Sequence, residues 1–225
     1  MKNFNKKTVI AVLVVIVVLV IIAIVGKNGS MRSVANNFDL SLDKNSDEPL
    51  TDTTFALDTF ITVTIYHGGD ETVLKDSLDF IRKYETVFSA TDPDAELYKL
   101  NHREKGVMSV KTSEDLAYLI DKALYYSKIS NGAFDITTQP LKELWDFNTE
   151  TPKLPSEESI KEALPKVDYN RVSVEGDTVK FTSDDTMIDL GAIAKGYIAD
   201  KTKEFLVGKG VDSAIINLGG NVLCI

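Results

Sequence analysis

Residues 189–200 read Asp-Leu-Gly-Ala-Ile-Ala-Lys-Gly-Tyr-Ile-Ala-Asp, one of two stretches that stand out in the sequence. The small residues Gly191, Ala192 and Ala194 allow a backbone to approach a ligand closely. The stretch then opens a helix, whose first N–H groups form a site for an anion. Lys195 lies in that first turn, where a cation opposes the helix dipole unless an anion is bound nearby. The pattern suits a phosphate-bearing nucleotide, while the simpler alternative is a small-residue turn that serves packing alone.

The patterns on either side of this stretch predict a mixture of strands and helices without a regular alternation. Apolar Ile61, Val63 and Ile65 alternate with threonine and tyrosine over residues 59–66, which predicts a half-buried strand. Apolar residues near helical spacing predict one helix over residues 71–88. Further helices are predicted over 113–131 and 156–165, and further strands over 171–174, 178–182 and 213–217. This order favours an α+β domain, with helices packed on a largely antiparallel sheet.

The bulk composition is that of a folded domain with an acidic surface. The chain has 225 residues, 44% of them hydrophobic, which suffices for one sizeable domain and an anchor. Its formal net charge of -9 disfavours binding to nucleic acid. Cys224 is the only cysteine, so no disulfide can form within the chain. Cys224, His67 and His102 are far apart in sequence, which argues against zinc and leaves a hard cation on oxygen ligands as the expected metal.

The N-terminal region predicts a membrane anchor. Three lysines precede an unbroken apolar run over residues 9–25, close to the roughly 20 residues that a spanning helix needs. Positive charge before the run predicts that residues 1–7 are cytoplasmic, that 8–26 cross the cell membrane once, and that the rest is extracytoplasmic. The alternatives are a cleaved signal peptide and a buried helix. Residues 27–53 are polar and predict a linker, and residues 54–225 form the expected folded domain.

Four stretches, taken in order along the chain, resemble the motifs of one protein family. They are residues 55–60 (Phe-Ala-Leu-Asp-Thr-Phe), residues 89–101, residues 131–141 (Asn-Gly-Ala-Phe-Asp-Ile-Thr-Thr-Gln-Pro-Leu), and residues 189–200 with Asn-Leu-Gly-Gly-Asn at 217–221. The family has a Met-Gly-Thr turn at the first and a Ser-Glu-Leu…Leu-Asn loop at the second. Together these stretches resemble the FAD:protein FMN transferases, the ApbE-type flavin transferases, over residues 55–225.

This resemblance implies an activity and a set of binding residues. Members of the family bind FAD with Mg²⁺, break its pyrophosphate and join FMN through a phosphoester to a threonine or serine of a target protein. Carried onto this chain, the implied FAD-binding residues are Leu57, Thr91, Ala133, Phe134, Asp135, Asp189 and Lys195. The resemblance also implies that the backbone carbonyl of Ala192 contacts Mg²⁺. The implied partner is an acceptor flavoprotein of a membrane or exported electron-transfer system.

The chain departs from the family pattern in two places. Leu57 and Asp58 stand where the family has Met-Gly, and because aspartate adopts positive φ less readily than glycine, we expect a different turn. The resemblance places the family's later histidine, and the aspartate and threonine that complete its metal site, beyond Ile225. The sequence ends in an apolar, strand-like run over residues 221–225. We therefore expect the domain to be incomplete at its C-terminal end, with its catalytic residues beyond Ile225.

Two other functions are compatible with the sequence. The same resemblance permits an FAD pyrophosphatase, in which water replaces the target hydroxyl and FMN and AMP are released. A chain without the later motifs also fits a non-catalytic flavin-binding membrane protein. Single residues do not separate these functions, since aromatic residues such as Phe134 and Trp145 are by themselves more often part of a core than of a flavin site.

Overall fold

The computed structural model describes residues 48–145 and 154–225. The membrane helix predicted over residues 8–26, the residues before it, and the linker up to residue 47 lie outside the described residues. Within the two described ranges, no helix is both long enough and apolar enough to cross a bilayer.

Strands and helices follow one another without a regular alternation. The strands are β1 (Leu50–Ala56), β2 (Thr59–His67), β3 (Ser109–Lys111), β4 (Val172–Glu175), β5 (Thr178–Phe181), β6 (Ser213–Leu218) and β7 (Asn221–Cys224). The helices are α1 (Glu71–Lys83), α2 (Glu85–Phe88), α3 (Glu96–Asn101), α4 (Glu114–Ile129), α5 (Gln139–Lys142), α6 (Glu157–Ala163) and α7 (Ala194–Gly208). Short 3₁₀ turns cover Glu143–Trp145, Leu164–Lys166 and Tyr169–Arg171. Helices combined with antiparallel sheets confirm the predicted α+β class.

The larger sheet has the strand order β1-β2-β6-β7, and each neighbouring pair is antiparallel. In β2 the side chains of Ile61, Val63 and Ile65 are buried, whereas the threonines between them are only partly buried. This alternation confirms the strand predicted over residues 59–66. Sequence periodicity does not predict β1, because that strand is mostly threonine and aspartate. It begins at Leu50, inside the segment predicted as a linker.

Helices α1 and α7 pack against the larger sheet and against each other. Asp70 caps the N-terminus of α1. Its carboxylate accepts a hydrogen bond from the N–H of Val73 at 2.9 Å, the usual arrangement of an N-terminal cap. Apolar residues on one face of each helix, such as Leu78 of α1 and Ile198 of α7, are fully buried. Packing in the core between these helices and the larger sheet therefore positions helix α7.

The single helix predicted over residues 71–88 is in fact two helices. The first ends at Tyr84, whose N–H bonds to the carbonyl of Ile81 at 3.1 Å, a three-residue step rather than an α-helical one. Tyr84 is buried, and its ring stacks on that of Phe88 with centroids 5.4 Å apart. The apolar spacing continues from α1 into α2, so hydrophobic periodicity alone does not reveal the break at Tyr84.

The smaller sheet has the antiparallel order β3-β5-β4. Strands β4 and β5 form the two strands predicted near residues 171–174 and 178–182, and Gly176 in the turn between them has a φ of 58°. Helix α4 packs against β4 and buries Leu116 and Leu119. Strand β3 has only three residues, which is too short for a periodic pattern to predict it.

Buried Tyr84 and half-buried Tyr197 both have phenol pKa values raised by their surroundings. Burial, with the carboxylates of Asp115 and Glu204, raises the pKa of Tyr84 to about 12. Burial and the 2.6 Å hydrogen bond that its hydroxyl donates to Asp115 raise the pKa of Tyr197 well above its usual value. An unfolded tyrosine titrates near pH ~10. The stability that Tyr84 contributes is thus complete below pH ~10 and is lost as the pH rises through about 12.

We expect a late phase in phenolate absorbance when the folded protein is titrated with base. Tyr84→Phe and Tyr197→Phe should each reduce that late phase. Tyr125→Phe is the matched control substitution, because Tyr125 is 55% exposed. A folded Tyr84→Phe variant whose late phase is unchanged contradicts the assignment.

Candidate active site

A cleft of about 210 Å³ opens beside the start of α7. It brings together four of the residues predicted to bind FAD: Leu57, Thr91, Asp189 and Lys195. The charged side chains that line it are Asp58, Glu85, Lys142, Asp189 and Lys195. The cleft lining therefore contains one more carboxylate than ammonium groups. Both lysines line the cleft and can contact an anion bound in it.

Asp189 is held in place by three neighbours. Its N–H bonds to the carbonyl of Ile136 at 2.8 Å, which joins the 131–141 stretch to the 189–200 stretch. Its Oδ1 accepts the N–H of Gly191 at 2.7 Å, and its Oδ2 lies 2.9 Å from the ammonium of Lys142. A Cβ at Gly191 would lie only 3.1 Å from Oδ1, so the glycine allows this tight turn. The carboxylate is thus fixed at the cleft wall, with 17% of its side chain exposed.

The segment before Asp189 is locked by the side chain of Asn101. The amide of Asn101 donates to the carbonyl of Ile188 at 2.8 Å and accepts the N–H of Ile188 at 2.7 Å. A neighbouring β-strand would form the same two kinds of hydrogen bond with the backbone of Ile188. Asn101 and Ile188 are both buried. Arg103 supports the same segment, because its guanidinium donates to the carbonyl of Thr186 at 3.0 Å. The end of α3 therefore determines where Asp189 lies.

The first turn of α7 presents free backbone groups. Its N-cap is Ile193, which has no side chain able to cap the helix, and the first turn contains no acidic residue. Within the part of the chain that the structure describes, the N–H groups of Lys195 and Gly196 and the carbonyl of Ala192 have no hydrogen-bond partner. Lys195 is partly buried and makes no ion pair with a described residue. Free N–H groups beside a free ammonium form a site for an anion.

The turn between β1 and β2 forms another wall of the cleft. Leu57 and Asp58 have φ values of 54° and 57°, and the N–H of Leu57 bonds to Glu85 Oε1 at 2.6 Å. Asp58 therefore does adopt positive φ, contrary to the reason given above for expecting a different turn. Aspartate is among the residues that tolerate this region best after glycine, and a two-residue hairpin turn with both φ values positive matches the twist of the strands.

The remaining predicted contacts lie outside the cleft. Phe134 and Ala192 line a shallow groove beside Ile193 instead. The carboxylate of Asp135 binds backbone groups instead: it accepts the N–H of Thr137 at 2.7 Å and the N–H of Tyr169, in a distant 3₁₀ turn, at 3.0 Å. Ala133 is exposed. The structure therefore brings together Leu57, Thr91, Asp189 and Lys195, while the predicted roles of the 133–135 stretch and Ala192 remain predictions.

Two cleft residues carry no sequence signal that predicts them. Glu85 lies in α2, where it looks like an ordinary exposed helix residue, and Lys142 ends the four-residue helix α5. Both reach the cleft through tertiary packing. The adjoining Pro140-Leu141 motif could have drawn attention to Lys142, but nothing in the sequence indicates its pairing with Asp189.

The described residues alone do not complete a metal site. Within residues 48–145 and 154–225, no cluster of three or more histidine, cysteine, aspartate or glutamate side chains can hold a metal ion. The free carbonyl of Ala192 is a suitable oxygen ligand for a hard cation. Mg²⁺ usually takes one or two protein oxygens and completes its shell with water and substrate phosphates, so one carbonyl fits part of such a shell.

Comparison with known proteins identifies the family. Residues 57–225 match the ApbE family. The chain is 31% identical over 159 residues to the FAD:protein FMN transferase of Treponema pallidum, covering 68% of this chain and 44% of that protein. It is 32% identical over 158 residues to the FAD:protein FMN transferase of Klebsiella pneumoniae, covering 69% of this chain and 50% of that protein. This chain thus spans about half the length of these curated relatives.

The fold is also shared with solved structures. The crystal structure of the ApbE protein of Thermotoga maritima superposes with a TM-score of 0.72 at 29% sequence identity, covering 79% of this chain and 59% of that one. The family match over residues 57–225 includes the cleft and the stretch that opens α7. On both grounds, this chain belongs to the ApbE family.

Proposed function

We propose that this chain transfers FMN from FAD to a threonine or serine hydroxyl of a target flavoprotein, with Mg²⁺. The observation that carries the proposal is the cleft in which Asp189 faces the uncapped start of α7 and Lys195. The curated relatives named FAD:protein FMN transferase support the same activity. A dinucleotide with an ionised diphosphate matches the chemistry of this cleft.

The proposed binding mode follows from the charges and free groups of the cleft. The N–H groups of Lys195 and Gly196 would donate to the diphosphate, and the ammonium of Lys195 would offset part of its charge. Asp189, which has a fixed carboxylate, would accept a hydrogen bond from a ribose hydroxyl or an exocyclic amine. Leu57 supplies an apolar surface, and Thr91 lies at the rim.

The proposed reaction balances without any further reagent. The oxygen of the acceptor hydroxyl forms a bond to the FMN phosphorus, and the bond from that phosphorus to the bridging oxygen breaks. AMP leaves with the bridging oxygen, and the hydroxyl proton passes to a base or to solvent. The residues described here bind and orient the diphosphate for this step, which is the main contribution that proteins make to phosphoryl transfer.

Mg²⁺ is proposed from the charge balance of the site. The carboxylates of Asp58, Glu85 and Asp189 outnumber the two lysines of the cleft, and the diphosphate adds further negative charge. When bound, Mg²⁺ would supply positive charge to the phosphate oxygens. The carbonyl of Ala192 is its proposed protein ligand from this part of the chain.

We also infer that residues 8–26 anchor the chain in the cell membrane and that the folded domain is extracytoplasmic. The charge asymmetry of the N-terminal segment supports this orientation. An acceptor flavoprotein of a membrane or exported electron-transfer system would then meet the cleft on that side. Protease added to right-side-out vesicles is expected to digest the domain directly, and protection until lysis contradicts the orientation.

A product analysis tests the proposed activity against its alternatives. The full chain is incubated with FAD and Mg²⁺, with and without an acceptor domain expressed free of flavin, and nucleotides are separated by chromatography. We expect AMP to form in step with protein-bound flavin and only when the acceptor is present. AMP and free FMN without the acceptor would indicate a pyrophosphatase. Bound but uncleaved FAD in every mixture would indicate a flavin-binding protein without this activity.

A further inference from the structure

Lys142 lies in the proposed nucleotide cleft but has no part in the binding mode described above. It ends helix α5, and its ammonium is 2.9 Å from Asp189 Oδ2. The other carboxylate oxygen of Asp189 accepts the N–H of Gly191. Each oxygen of Asp189 thus already has one partner in this structure, and a ligand group that takes the position of the Lys142 ammonium on Oδ2 would displace it.

The ion pair can be opened at low cost. The side chain of Lys142 is 45% exposed, and ion pairs that solvent reaches contribute little net stability. Lysine carries its charge on a flexible four-carbon stem, so its ammonium can move while α5 stays in place. Lys142 and Lys195 line the same cleft, so the position to which the ammonium moves can lie beside the same anion.

We propose that Lys142 is a second phosphate-binding residue. Its ammonium pairs with Asp189 before FAD binds and moves to the diphosphate when FAD binds. This inference rests on the proposed function, because it adds a residue to the same nucleotide site. A polar group of the nucleotide takes the Oδ2 of Asp189, and the released ammonium meets a diphosphate that carries more negative charge than the carboxylate did. Lys142 then favours FAD over uncharged flavins.

A binding experiment separates this role from a purely structural one. The full 225-residue chain is titrated with FAD and, separately, with riboflavin at fixed Mg²⁺, and binding is followed by flavin fluorescence. Lys142→Met is expected to weaken FAD binding about tenfold, the scale of one partly exposed charge-assisted contact, and to leave riboflavin binding unchanged. Lys142→Arg keeps the charge and should retain most of the affinity. Lys105→Met, at an exposed loop lysine, is the control and should change neither affinity.

The same titration in an Asp189→Asn background tests whether Lys142 acts through Asp189. If Lys142 contacts the phosphates, Lys142→Met still weakens FAD binding in this background. If Lys142 only neutralises Asp189, the further loss disappears, and the proposal is overturned. Equal losses for FAD and riboflavin, or no loss for either, also overturn it. Failure of the unsubstituted chain to bind FAD would instead refute the proposed function, and the inference would fall with it.

Discussion

Replacing Lys195 with methionine is expected to slow FMN transfer about 100-fold, the scale on which removal of one preorganised charge-stabilising group slows catalysis. Lys195 sits in the uncapped first turn of α7 with no described ion-pair partner. In the folded chain its ammonium faces an unfavourable helix dipole, and a bound diphosphate reverses the sign of that interaction. The expected loss of rate follows from that reversal.

The same substitution should leave the fold intact or slightly stabilise it. Methionine keeps the length of the side chain and removes a cation from the positive end of the helix. Transfer rates are measured as protein-bound flavin formed per unit time, with Lys105→Met as the matched control. If Lys195→Met transfers FMN as fast as the unsubstituted chain, the anion site does not lie at the start of α7.

Replacing Asn101 with leucine is expected to lower the free energy of unfolding by about 3 kcal/mol, because it leaves two buried backbone groups without partners. These groups are the N–H and the carbonyl of Ile188, each bonded to the Asn101 amide within 2.8 Å. Leucine fills a similar volume, so the loss reports hydrogen bonding rather than a cavity. Because Asp189 follows Ile188 directly, FAD affinity should fall as well.

Chemical denaturation of the folded chain measures this effect. Asn170→Leu is the matched control, because Asn170 is exposed and its side chain bonds only locally, to Asp168 at 2.8 Å. Asn170→Leu is expected to lower the free energy of unfolding by less than about 0.5 kcal/mol, as for most exposed positions. Equal costs for the two substitutions would contradict the stabilising role assigned to the two hydrogen bonds of Asn101.

Sequence periodicity predicts the elements whose pattern matches their burial. The alternation in β2 and the apolar face of α1 are clear because each element has one buried side. Strand β1 escapes prediction because it is polar and its pairing with β2 supplies the order. The break at Tyr84 escapes prediction because no proline or glycine marks it in the sequence.

The residues of the candidate site likewise divide into those that the sequence predicts and those that it does not. Asp189 and Lys195 can be predicted because one short stretch encodes both the turn and the start of the helix. Lys142 and Glu85 cannot, since only the packing of α5 and α2 brings them to the cleft. The positive φ of Asp58 does not follow from the residue type alone. The hairpin turn imposes it on a residue that tolerates it.

The intact mass of an acceptor flavoprotein after incubation with the full chain, FAD and Mg²⁺ is the most direct test of the proposed function. We expect the acceptor mass to rise by that of FMN minus one water, with the added group on a threonine or serine. The gain should disappear when that residue is replaced with alanine. An unchanged acceptor mass, with FAD still intact in a mixture where the folded chain binds it, would contradict the proposed transfer.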